Sequence, residues 1–133
     1  MGDRTVEEGR FRLDDFDLYK VARKFRKQTY CLIKQLPPEE KYGLAIQMRR
    51  AAVSVTNNIA EGHGRWHYQE NIRFCCISRG SVDEMIDDFN TCQDEGYGEQ
   101  GLVGELKVEA YDLIHRINSY IAYLRKTKQG GEE

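Results

Sequence analysis

The chain has 133 residues, 40% of them apolar and 32% charged, with a formal net charge of −2. That length fits one domain able to bury roughly two-thirds of the surface its unfolded form exposes. No run of about 18 apolar residues exists, which excludes a membrane-spanning helix, and a slightly negative chain is not an indiscriminate nucleic-acid binder.

The N-terminal MGDRTVEEGR lacks the apolar stretch of a signal peptide. Cysteines stand at 31, 75, 76 and 92 with no CxxC spacing, so no zinc or redox motif is read from them. Small core residues of a reduced, cytoplasmic protein are the expectation. The charge is unevenly spread. Residues 1–67 hold 13 Lys and Arg against 9 Asp and Glu, whereas residues 68–133 hold 7 against 13.

Residues 1–13 are polar, with Gly2 and Gly9, and are expected to form a flexible N-terminal arm. Asp14 or Asp15 suits the cap of a first helix running to about Gln35, because Leu18, Ala22, Phe25, Thr29, Leu32 and Leu36 follow steps of four and three. Pro37 and Pro38 stop it, and Pro38-Glu39-Glu40 reads as the first turn of a second helix, with acids at the favoured end. That helix is predicted over about 39–61, with Leu44, Met48, Ala51, Ala52, Val55 and Ile59 on its apolar stripe and Gly62 and Gly64 ending it.

A third helix is predicted from about Tyr68, carrying Ile72, Cys75, Cys76, Val82, Met85, Ile86 and Phe89. The glycine-rich EGYGEQG, residues 95–101, reads as a loop. A fourth helix is expected from about Val103 to Lys126, with Leu106, Ala110, Leu113, Ile117, Tyr120, Ile121 and Leu124 on its apolar stripe and a frayed tail over residues 127–133. No stretch alternates with the period of a strand. Amphipathic segments joined by short connections give an all-α, antiparallel up-down-up-down four-helix bundle over residues 14–126.

The second helix carries a polar row. Gln47, Ala51, Ser54, Asn58 and Glu61 step by four and three beside the apolar stripe. Small residues let a neighbouring helix approach, and amides and hydroxyls can bond across the gap. The third helix offers Gly80 and Ser81 as partners, with Ser78 before and Glu84 after. A mid-helix glycine costs about 1 kcal/mol against alanine, which points to close packing at Gly80. We read the row as a structural network that sets helix register, with a ligand pocket and a subunit interface as the alternatives.

Enzyme chemistry is not signalled. His63 and His67 are separated by the helix-breaking Gly64, His115 lacks a nucleophile–carboxylate constellation, and the GxxxxGK[ST] phosphate loop is absent. We expect no catalytic residue, no metal and no cofactor. Basic residues cluster better. Arg23, Lys24, Arg26, Lys27 and Lys34 decorate the first helix; of these Arg23, Lys24 and Lys27, with Arg49 and Arg50 on the second helix and Arg65 in the turn after it, are the candidate nucleic-acid contacts, and Tyr19, Tyr30, Trp66, His67 and Tyr68 are rings that can stack on bases. A solvated surface with local ion pairs is the alternative.

The stretches FDLYKVA (residues 16–22), QMRRAAVSVTNNIAEGHGR (47–65) and SRGSVDEM (78–85) resemble the bacterial four-helix-bundle proteins encoded within intervening sequences of 23S ribosomal RNA genes. The resemblance implies a bundle assembling into a ring, a homopentamer, and implies no established activity. The accessory variability proteins of diversity-generating retroelements look similar; they are pentamers that partner a reverse transcriptase and bind nucleic acid. The expectation is a non-enzymatic oligomeric adaptor binding structured RNA, DNA or a ribonucleoprotein. A reverse-transcriptase accessory subunit and a ring that binds only protein are the alternatives.

Overall fold

A computed structural model describes residues 11–130, with side chains placed to Thr127. Of the arm expected over residues 1–13, residues 1–10 lie outside this range, as do residues 131–133 of the tail. Among the described residues there are four α-helices: α1 (Asp17–Ile33), α2 (Leu44–His63), α3 (Tyr68–Glu95) and α4 (Gln100–Gly130). No described helix is long and apolar enough to cross a membrane.

Each helix packs on its neighbours in chain order, and α1 closes the square against α4. Paired groups run in opposite order on adjacent helices. Gln47 and Ser54 of α2 bond to Asp88 and Ser81 of α3, and Arg79 and Gln93 of α3 to Asn118 and Lys107 of α4. On α1, Arg26 and Tyr30 meet Thr56 and Arg49 of α2, whereas Phe16 and Gln35, at its two ends, meet Tyr120 and Glu99. All four adjacent pairs are therefore antiparallel. The core includes Leu32, Met48, Met85, Leu106, Leu113 and Ile117, and Phe25 meets Phe89 edge-on across it, ring centres 6.2 Å apart.

The helix ends differ from the expected ones for local reasons. Neither Asp14 nor Asp15 caps α1. Leu13–Asp15 forms a separate 3-10 turn, and Phe16 takes an extended conformation that sinks its ring into the core before the helix begins. Pro38–Glu40 is likewise a separate 3-10 turn rather than the start of α2, because Gly43 leaves helical geometry with φ −116° and ψ −101°. Glu40 still serves the helix from outside: its Oε1 accepts the Leu44 amide at 3.1 Å, and its Oε2 accepts the Tyr97 hydroxyl at 2.9 Å.

At the end of α3, Gly96 turns left-handed (φ 71°) and the Tyr97 amide returns to the Cys92 carbonyl at 2.8 Å, a Schellman closure. Gly98 is also left-handed, and a Cβ there would lie 2.5 Å from Leu32 Cδ1. The loop is shorter than EGYGEQG suggests. The Glu99 carboxylate accepts the Gly101 and Leu102 amides at 3.0 and 2.8 Å, so α4 starts at Gln100 despite its early glycines. At its other end α4 continues past Lys126 to Gly130.

Candidate functional site

The polar row lies on the seam between α2 and α3. Ser54 and Ser81 share a hydrogen bond of 2.7 Å, and Asn58 Nδ2 donates to the Ser54 carbonyl at 2.8 Å and to its hydroxyl at 3.1 Å. Ser78 donates to the Val55 carbonyl at 2.8 Å, a group already within the α2 ladder. Gln47 Nε2 donates to Asp88 Oδ1 at 2.9 Å; Asp88, rather than the Glu84 singled out by spacing, is the acid of the row. Glu61 is exposed at the end of the row and pairs with Arg65 at 2.8 Å.

Asp88 stands out electrostatically. It is 1% exposed, and its Oδ2 is buried without a hydrogen-bond partner. Burial, reinforced by Asp87 and Glu84 and opposed by the Gln47 bond, pushes its pKa up to about 7. Burial also raises the thiols of Cys75 to about 12 and Cys92 to about 11, so both stay protonated at neutral pH.

Close packing between α2 and α3 does not occur at Gly80. A Cβ there meets nothing within 4 Å, because the residue faces outward one position from the buried Ser81. The close approach is at Gly62, which stays inside α2 rather than ending it. A Cβ at Gly62 would lie 2.5 Å from Asn71 Oδ1, 3.1 Å from the Asn71 carbonyl oxygen and 3.2 Å from Phe74 Cβ. Asn71 in turn donates to the Tyr120 hydroxyl at 3.1 Å.

At this end of the bundle His63 stacks on Phe16, ring centres 5.2 Å apart, with Phe11 at 5.5 Å. Among the described residues no group of three or more His, Cys, Asp or Glu is placed to hold a metal ion.

All six candidate basic contacts are exposed, but they do not converge. Arg23 and Lys27 lie one turn apart on the solvent face of α1, opposite the buried Leu18, Ala22, Phe25 and Thr29. Lys24 turns toward α4, where its charge acts on Glu109. Arg49 leans toward α1, its guanidinium 5.5 Å from the Tyr30 ring centre. Tyr30 lies seven residues beyond Arg23, about 10 Å along the axis. Arg50 shares the opposite flank of α2 with Gln47 and Ser54, by its spacing of three and four from them. Arg65 lies past the end of α2, 5.0 Å above the Phe74 ring.

The straightest basic line includes a residue that sequence reasoning passed over. Lys20, Arg23 and Lys27 of α1 and Lys34 at its C-cap fall at intervals of three, four and seven, within one narrow sector, and all are exposed. That interval pattern was the available signal. Arg26, by contrast, is drawn inward and donates to Thr56 Oγ1 at 2.8 Å.

No curated protein matches this chain. A family model described as 23S rRNA-intervening sequence protein matches residues 14–119, from the turn before α1 to about two-thirds of the way along α4. The match spans most of the chain and includes every side chain of the α2–α3 seam, and the chain belongs to that family.

Proposed function

We propose that this chain is a non-enzymatic oligomeric adaptor, a ring of about five copies, that holds structured nucleic acid or a ribonucleoprotein against the solvent face of α1. One observation carries the reading: Lys20, Arg23, Lys27 and Lys34 form an exposed line on a helix with no Asp or Glu from Leu18 to Pro38. The nearby acids, Asp14 and Asp17, approach Arg23 and Lys20 only at 3.9 Å in exposed pairs, which contribute little. Repetition around a ring lets modest patches act together without a basic overall charge.

Gel shifts with a structured RNA at two salt concentrations test this. Wild-type binding is expected to weaken steeply as salt rises, since phosphate neutralisation releases counterions. Arg23→Glu with Lys24→Glu and Lys27→Glu is expected to weaken the shift while leaving the helical circular-dichroism signal intact. An equal shift from the triple variant, or none from wild type at low salt, overturns the reading.

A ring that binds only protein is the second reading, favoured by the exposed side chains of Tyr42, Ile46, Val108 and Tyr111. A place beside a reverse transcriptase would use the same α1 line, and a reverse-transcriptase gene flanking this one would favour it.

A further inference from the structure

The cations along α1 have an aromatic side chain set among them. Lys20, Arg23, Lys27, Tyr30 and Lys34 follow steps of three, four, three and four, so Tyr30 fills the gap in the line between Lys27 and Lys34. Tyr30 sits on the edge of the line nearest α2, and the Arg49 guanidinium lies over its ring, 5.5 Å from the centre. The tyrosine is half-buried and packs against the core, which holds its ring in place while part of it meets solvent. Arg26, one turn earlier, ties the two helices together through its 2.8 Å bond to Thr56.

Both helices bring cations to this face and neither brings acids. Residues 18–38 and 44–60 contain no Asp or Glu. Among the described residues Lys27, Lys34 and Arg49 form no ion pair. A polyanion can therefore be held here without first breaking local ion pairs. Lys20 and Lys34 are fourteen residues apart, about 21 Å along the axis, enough for a strand of several nucleotides.

Cations alone would hold any phosphate backbone, paired or not. The tyrosine adds a choice. Bases inside a duplex are already stacked on one another, whereas an unpaired base has a face to offer an aromatic ring or a guanidinium. Arg49 over Tyr30 puts a positive charge beside the ring, which favours the π-face of an incoming base. A ring fixed by the core also loses little freedom when a base lands on it.

We propose that this face binds an unpaired segment of RNA, the loop or bulge of a folded molecule rather than its stem. The backbone runs along Lys20, Arg23, Lys27 and Lys34, and one base seats on the Tyr30–Arg49 pair. This rests on the nucleic-acid reading above and names the part of the ligand that is held.

Fluorescence anisotropy with a labelled RNA stem–loop, and with a blunt duplex of the same stem, tests it. Wild type is expected to bind the stem–loop more tightly by roughly 5- to 150-fold, the effect of stacking one base. Tyr30→Ala is expected to remove that preference and leave duplex binding unchanged. Tyr30→Phe should keep the preference and Arg49→Gln should reduce it, with circular dichroism confirming the helices of each variant. Oligouridine is expected to displace the stem–loop better than oligoglutamate of equal charge, which has no base to stack.

Equal wild-type affinity for stem–loop and duplex would overturn the proposal without recourse to any variant, and would leave the nucleic-acid reading standing. A helical Tyr30→Ala protein that keeps the preference would do the same. Displacement by oligoglutamate as effective as by oligouridine would overturn it in favour of an acidic protein segment. Binding of neither RNA at low salt would end the nucleic-acid reading itself.

Discussion

Gln47 covers Asp88. Its amide reaches Oδ1 at 2.9 Å from the rim of the bundle, while Oδ2 of the same carboxyl is shut in without a partner. The neutral acid suits that place better than the carboxylate, which is why the folded pKa rises to about 7 from the usual 3.8. The native state therefore holds a proton that the unfolded chain has released. The stabilisation this brings is fully present below about pH 4 and is lost as pH rises through about 7. Asp88→Asn is expected to be more stable than wild type at pH 8, with a smaller gain at pH 5. Urea melts at the two pH values measure this, and an equal gain at both would show that Asp88 does not titrate in this window.

Gly62 and Gly80 should respond in opposite directions to the same change. Alanine at Gly80 enters open space and gains helix propensity, raising stability by about 1 kcal/mol. Alanine at Gly62 drives a Cβ onto Asn71 and the α3 backbone, at a cost of about 1–3 kcal/mol from overpacking. Denaturant midpoints of the two variants decide the matter; loss at Gly80 or gain at Gly62 would mean that α2 and α3 approach elsewhere.

Ala51, 3% exposed on the same helix, has no room for a larger side chain. Ala51→Leu is expected to lower stability by about 1–3 kcal/mol. A wild-type thermal midpoint would show the seam to be looser than the structure has it.

The Ser54–Ser81 bond is expected to be modest by itself. Ser81→Ala leaves Ser54 still bonded to Asn58, so the loss should be about 0.5–1.5 kcal/mol. A double-mutant cycle with Ser54→Ala isolates the pair, and a coupling indistinguishable from zero would mean that the two hydroxyls do not hold register.

The sequence by itself determined the class of fold. Helical periodicity at Leu18–Leu32, Leu44–Ile59 and Leu106–Leu124 is set by which residues must leave water, and short connections force consecutive helices to lie antiparallel. The polar row was legible for the same reason: spacing alone places Gln47, Ser54 and Asn58 on one face.

Tertiary structure decided what spacing cannot encode. Phe16 enters the core from an extended backbone and so delays α1, and the carboxylates of Glu40 and Glu99 serve helix starts that composition had placed elsewhere. Which glycine meets a neighbouring helix depends on the rotation of α3 about its axis; that rotation turns Ser81 inward and Gly80 out, and brings Asn71 onto Gly62. The same rotation buries Asp88 while Glu84, one turn away, stays in solvent. A helix's own sequence fixes its apolar face, but the partner's height and angle fix which residue on the edge of that face is covered.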